Sequence, residues 1–347
     1  MTEQKKIKIG LGSFDLIKGI AILSVIYLHA GWDSCFSNIV NIVWKSFLGG
    51  FMPMFFILNG YSFKKKPIIK MLKKTGSDFL VPYVLIIPMA IFLHFICNMP
   101  LYPDVIYGFQ DVKNYVISFL HGRDCAGPLW FFLALFIANN TLNLILAIKE
   151  KRMRILCVVF SVTAGFAIMH TGFCFFRIVE GLTAVGFSYI GYVLKEKRLL
   201  EKTYTSIWGY LILIPLWVFQ VLILSKGGMI LDMYSSEYTL LQFFLAGGIG
   251  LLLICIGLML NRIKWNGMEF FRKCGMYSYW ILMVHTIDMI AVPWHDLLRN
   301  NSLPLLEFAI KLGLRVWIIV IGCTIIKMIS QIRYRQRLER KGKEYSV

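Results

Sequence analysis

The first apolar run of the chain, Phe14-Asp15-Leu16-Ile17-Lys18-Gly19-Ile20-Ala21-Ile22-Leu23, holds a lysine and continues to His29. Ionisable residues inside a membrane helix are costly, so each needs a physical reason. Lys18 and His29 are 11 positions apart. At ~100° per residue they differ by about 20° after three full turns, so they share one face, roughly 16 Å apart along the axis. That separation suits an extended donor with an anionic head and a reactive tip. Coenzyme A has this form, with phosphates at one end and a thioester at the other. A cation at the cytoplasmic mouth would hold the phosphates. An imidazole further along would act as general base on an acceptor hydroxyl. Plainer readings stand beside these: Lys18 snorkelling to the inner headgroups, and His29 as a hydrogen-bonded interfacial histidine.

These residues need a membrane scaffold, and the composition describes one. Of 347 residues 58% are hydrophobic, enough for about ten helices of ~20 apolar residues. Such apolar content excludes a soluble domain, and the 15% aromatic content excludes disorder. Length and eight scattered Cys exclude a small disulfide-rich domain. The expected fold is all-α, a polytopic membrane helical bundle of about ten transmembrane helices forming one integral domain over 1–347. The expected spans are 14–31, 43–63, 79–99, 128–148, 155–172, 177–194, 204–225, 238–260, 275–294 and 304–330. The runs are too long, and too free of alternation, for a β-barrel. The first run reads as a retained helix rather than a cleaved signal, and no repeat of fixed period is visible.

The formal charge is +18, from 37 Lys+Arg against 19 Asp+Glu. On the expected spans, 28 of the 37 basic residues fall on one side, in residues 1–13, in the loops after the even-numbered spans, and in the tail 331–347 with Lys327 just before it. The positive-inside rule then puts both termini in the cytoplasm of a multi-pass protein of the cell membrane. Most of the charge therefore reads as orientation and lipid-headgroup contact rather than a nucleic-acid footprint.

Other polar residues are candidates for support. Lys64, Lys65 and Lys66 end the second span and either set topology or help Lys18 hold phosphates. Trp130 begins the fourth span at its outer end, as a belt residue or a surface for a sugar ring. Arg177 and Glu180 are three residues apart on one face, as are His285 and Asp288. The first pair either satisfies itself or binds acceptor. Asp288 either makes a buried polar contact or fixes a histidine tautomer, of His285 or of the distant His29. Glu307, Lys311 and Arg315 step by four and read as a structural ion ladder. The segment 100–127 is expected to be the longest outer loop, with Asp104, Asp111 and Asp124 as a candidate acceptor surface. A Cys97–Cys125 bridge is one option among unpaired thiols. No His/Cys cluster has metal spacing, so no metal is expected.

Several segments together resemble the acyltransferase 3 family of integral membrane O-acyltransferases. Lys18…His29 matches that family's basic residue, ten residues, then His on the first helix. Asp15 and Gly19-Ile20-Ala21 are similar to its opening motif. Met52-Pro53-Met54-Phe55-Phe56-Ile57-Leu58-Asn59-Gly60-Tyr61 resembles its Pro-x-Phe-Phe-x-x-Ser-Gly-Tyr segment, with Asn59 where Ser is commoner. Leu129-Trp130-Phe131-Phe132-Leu133, Phe187-Ser188-Tyr189-Ile190-Gly191-Tyr192 and Tyr277-Ser278-Tyr279-Trp280-Ile281-Leu282-Met283-Val284-His285 resemble three further segments, in order. The resemblance implies transfer of an acyl group, usually acetyl from cytoplasmic acetyl-CoA, to a hydroxyl of an envelope carbohydrate or lipid-linked glycan. It implies His29 as the catalytic residue. Acyl-CoA would then be a donor substrate, not a permanently bound cofactor.

The competing class is a secondary transporter or flippase of an envelope precursor, because polar residues in a helical bundle also suit a translocation path. Paired Gly/Pro breaks in matching halves, the usual mark of that class, are not found. A sensor or docking subunit, or the membrane half of a larger enzyme, is the third reading. The short basic tail leaves no soluble partner domain within this sequence.

Overall fold

The computed structural model describes residues 9–30, 38–98, 109–122, 124–173, 175–226, 239–263, 265–294 and 304–344. The described residues are all-helical. In chain order the helices are α1 Asp15–His29, α2 Asn38–Ser62, α3 Ile68–Thr75, α4 Val81–Asn98, α5 Phe109–His121, α6 Trp130–Ile145 and α7 Lys151–Met169. They continue with α8 Ile178–Glu196, α9 Leu199–Thr203, α10 Ile207–Ser225, α11 Leu240–Leu260, α12 Asn266–Met276, α13 Ser278–Ala291 and α14 Pro304–Glu344.

Eight helices among the described residues are long and apolar enough to cross a membrane: Gly12–His29, Ile39–Ser62, Ile68–Cys97, Gly127–Ile145, Lys151–Met169, Ile207–Ser225, Leu240–Leu260 and Leu305–Ile325. The other two expected spans, 177–194 and 275–294, form α8 and α13 but are not among the eight. α8 falls short in apolarity and α13 in length. α8 packs against α2, α6 and α7, and it buries Glu180, Thr183 and Ser188. A helix shielded by its neighbours need not be apolar all round, whereas a lipid-facing one must be. α13 is 14 residues long and buries His285, Thr286 and Asp288.

Two further expectations change. The outer segment 100–127 is not simply a loop, since Phe109–His121 forms α5. Asp104 lies outside the described residues, as do the side chains of Asp111 and Asp124. The basic segment after 330 continues α14 as helix to Glu344. Cys97 is a free thiol, which leaves the Cys97–Cys125 option unformed. Cys35 and Cys174 lie outside the described residues.

The bundle is fastened at two crossings where backbones touch. A Cβ on Gly19 would lie 1.8 Å from the Phe271 carbonyl oxygen, and one on Gly275 only 1.7 Å from that of Asp15. α1 and α12 therefore meet backbone to backbone. α2 and α8 do the same, because a Cβ on Gly60 would lie 1.8 Å from the Ser188 oxygen and one on Gly191 1.9 Å from that of Ile57. Small residues at such points let membrane helices gain dispersion contact where no hydrophobic driving force exists. α6 adds polar ties. Asn59 donates to Asn139 Oδ1 at 2.8 Å, and Asn140 donates to Thr75 Oγ1 at 2.9 Å. Asn143 holds both the N–H and the C=O of Lys66 at 3.0 Å.

The crossings generate a stability prediction. Gly275→Ala and Gly60→Ala should each destabilise the purified protein by about 1–3 kcal/mol or prevent its accumulation, because neither backbone can yield to the added methyl. Gly313→Ala, where nothing lies within 4 Å of the added Cβ, should leave the thermal midpoint unchanged. Equal midpoints for all three variants in detergent would contradict the crossing argument.

Candidate active site

Helix α1 is unbroken from Asp15 to His29, so Lys18 and His29 keep the face and separation set by helical geometry. Lys18 Nζ lies 2.5 Å from Asp15 Oδ1, and its side chain remains 28% exposed. One turn of helix accounts for this contact, since residues three apart are neighbours. Phe14, which precedes α1, meets Tyr61 of α2 edge to face at 5.1 Å, and Lys195 Nζ lies 5.9 Å from the centre of the Tyr61 ring. Lys64 and Lys65 are exposed and Lys66 is half-buried, just beyond the end of α2.

At the far end of α1, His29 meets a second histidine. His29 Nδ1 lies 2.9 Å from His285 Nε2, and the two rings lie nearly parallel, edge to edge, with centres 5.1 Å apart and 21° between their planes. His285 is fully buried whereas His29 is half-buried. His285 Nδ1 lies 3.5 Å from Asp288 Oδ2, close enough for charge pairing but without a hydrogen bond. Arg315 Nη1 donates to the same Oδ2 at 3.0 Å, and the Trp294 indole donates to Oδ1 at 3.2 Å. The Arg315 guanidinium also lies 5.1 Å from the Trp294 ring centre. The line His29, His285, Asp288, Arg315 thus crosses three helices, α1, α13 and α14.

The carboxylate 3.5 Å from His285 Nδ1 favours one set of protons along this line by its charge. If Asp288 is ionised it can only accept, so His285 carries its proton on Nδ1 and presents an acceptor Nε2. His29 then donates through Nδ1 and keeps a lone pair on Nε2. The half-buried ring at the open end of the line is therefore the one with a free basic nitrogen.

Among the sequence candidates, the structure brings together His29, His285 and Asp288. Arg315 is a correction. The four-residue stepping of Glu307, Lys311 and Arg315 suggested a ladder, but Lys311 pairs with Glu307 while Arg315 turns to Asp288 on another helix. Trp294 was not anticipated at all. Its only sequence signal is an aromatic residue following Pro293 just past α13.

Arg177, Glu180 and Trp130 form a separate group. Arg177 is fully buried and pairs with Glu180 through Nη1, while Nε donates to the Gly122 carbonyl at 2.9 Å. Its guanidinium lies 5.8 Å from the Trp130 ring centre. Phe176 and Arg177 have φ of 53° and 52°, a left-handed turn that costs non-glycine residues about 1–3 kcal/mol each. The Arg177 contacts hold that turn and bind α5, α6 and α8 at one end of the bundle. Among the described residues no group of three or more His, Cys, Asp or Glu is arranged to hold a metal ion.

A buried ion loses its solvation and depends on its partner. Glu180→Ala should therefore destabilise the protein by about 3–5 kcal/mol, since it strands the Arg177 charge. Arg177→Met with Glu180→Leu should cost less than Glu180→Ala. Thermal unfolding in detergent measures both, and a harmless Glu180→Ala would contradict this account.

No curated protein and no solved structure matches the chain. The family model for acyltransferase 3, described as an acyltransferase domain, matches residues 11–328. That span holds both ends of the α1 face and the whole His29 to Arg315 line. The match covers nearly the whole chain and agrees with its many apolar helices, so the chain belongs to the acyltransferase 3 family of membrane acyltransferases.

Proposed function

We propose that the protein is an O-acyltransferase that moves an acyl group, in the first instance acetyl, from cytoplasmic acyl-CoA to a hydroxyl of an envelope carbohydrate or lipid-linked glycan. The observation that carries this reading is the 2.9 Å contact between His29 Nδ1 and the buried His285 Nε2. It supports a neutral His29 whose Nε2 lone pair is available to a substrate.

In the reaction we infer, the acceptor hydroxyl gives its proton to His29 Nε2 as its oxygen attacks the thioester carbonyl. The tetrahedral intermediate then breaks its C–S bond. The departing thiolate takes the proton back from the imidazolium, leaving ester and free thiol. His285 accepts from His29 Nδ1–H and keeps the ring in this orientation, with Asp288 behind it. General base catalysis of this kind contributes typically ~10²–10⁴-fold.

Lys18, Lys64, Lys65 and Lys66 are assigned to the donor phosphates. Asp15 pairs with Lys18 until a phosphate takes its place. The roughly 16 Å from Lys18 to His29 matches the role of the pantetheine arm in carrying a thioester inwards. We infer ten crossings with both termini cytoplasmic, from the 28 basic residues on one side. Cell-membrane placement belongs to the same inference. Trp130, Arg177 and Glu180 are assigned to support of the acceptor side.

The test uses vesicles of the expressing host, supplied with acetyl-CoA labelled in the acetyl group. His29→Ala should reduce label transfer to membrane glycan by about 10²-fold or more. Lys18→Ala should raise the KM for acetyl-CoA while changing kcat less. Undiminished transfer by well-folded His29→Ala would overturn the mechanism. Flux of an envelope precursor across vesicles, without acyl transfer, would instead support a transporter.

A further inference from the structure

We propose that Arg315, on the last membrane helix, is a positioning residue that sets the proton affinity of the His29–His285 pair by offsetting the Asp288 carboxylate. The inference rests on the reading of His29 as general base. Arg315 is only 4% exposed, which keeps it from touching a substrate, so it acts through Asp288. Its Nη1 lies 3.0 Å from Asp288 Oδ2, and Trp294 closes the pair from above by bonding Oδ1 and covering the guanidinium.

The physical need for this arrangement follows from the charges. A lone carboxylate buried beside two imidazoles would favour their protonated form. A protonated His29 has no lone pair to receive a hydroxyl proton. A lone guanidinium would do the reverse, making the imidazoles poor bases. The pair together leaves Asp288, 3.5 Å from His285 Nδ1, favouring a proton there by its charge while that charge is largely cancelled. Arg315 is available for this because Lys311 already holds Glu307 one turn away.

α12, packed on α1, contributes Glu269, Arg272 and Lys273, with Arg272 bonded to Asn261 and 3.6 Å from Glu269. α13 contributes His285 and Asp288, and the described charged side chains of α14 are Arg315, Lys311 and Glu307. α1 itself carries Lys18 and Asp15 at its other end, paired with each other. α4 contributes His94, whose Nδ1 lies 2.9 Å from the Ile290 carbonyl oxygen. α2 contributes Lys45, next to Trp44, whose ring meets Tyr27 of α1. Arg315 is the cation that contacts Asp288 directly.

The experiment titrates the full chain in lipid nanodiscs with 15N-labelled histidine, following the imidazole signals of His29, assigned by their loss in His29→Gln. Arg315→Met unmasks the carboxylate and should raise the His29 midpoint by about one pH unit or more. Asp288→Asn leaves the cation and should lower it. The double variant Arg315→Met/Asp288→Asn removes both charges and should return it towards wild type. The acid limb of acetyl transfer should move in the same directions, because the base works only when deprotonated. A purely structural Arg315 predicts loss of folded protein without opposed shifts.

Shifts of the same sign in the two single variants, or none, would overturn the inference. If Arg315→Met does not fold, Asp288→Asn and the double variant decide it. A midpoint lowered in the first and restored in the second supports it, and equal midpoints in both overturn it. Opposed shifts together with full activity of His29→Ala would leave Arg315 as the governor and remove the catalytic reading. Activity that needs His29 but a titration blind to Arg315 would remove the governor alone.

Discussion

At the crossing of α1 with α12, a methyl group on either glycine would fall within 2 Å of the opposing carbonyl oxygen. The rest of the site depends on that contact. It sets the height of α1 against α12, and α13 follows α12 after a single residue, Tyr277. The height of α13 decides whether His285 meets His29. The second crossing, of α2 with α8, holds the central polar helix in the same way. Gly19, Gly60 and Gly191 all sit in the segments that resemble the family. Their physical meaning is helix approach rather than chemistry.

Given those crossings, the bundle interior can carry charge. Each buried ion in the described site has a partner of opposite sign or a hydrogen bond: Arg177 with Glu180, Arg315 with Asp288, and Asp288 with Trp294 as well. The line from Arg315 to His29 ends on the single half-buried ring in the chain of contacts. In the proposed reaction that ring faces the substrates and the rest of the line orients it.

Local spacing in the sequence was enough to read contacts that lie within one helix. Arg177 and Glu180, and His285 and Asp288, are each three residues apart, and each pair lies together in the structure, whereas the equally spaced contact of Lys18 with Asp15 was not read from the sequence. The shared face of Lys18 and His29 followed from helical geometry alone. Contacts between distant segments were not legible. His29 and His285 are 256 positions apart, and no periodicity links them. Arg315 was drawn into the wrong set because four-residue stepping describes a helix surface and says nothing of the neighbouring helix. Apolarity located eight of the ten expected spans as long apolar helices, while α8, with its buried polar residues, and α13, with 14 residues, form helices that do not meet that standard. The segment 100–127 hid a helix because its polar residues look like a loop.

The central claim is that His29 and His285 act as one unit, and a double-mutant cycle tests it most directly. Acetyl transfer would be measured for wild type, His29→Gln, His285→Gln and the double variant, all shown to be folded. Residues that act as a unit are grossly non-additive in kinetics. The account predicts that the double variant is no slower than His29→Gln alone, because His285 works only through His29. A double variant slowed by the product of the two single effects would contradict it.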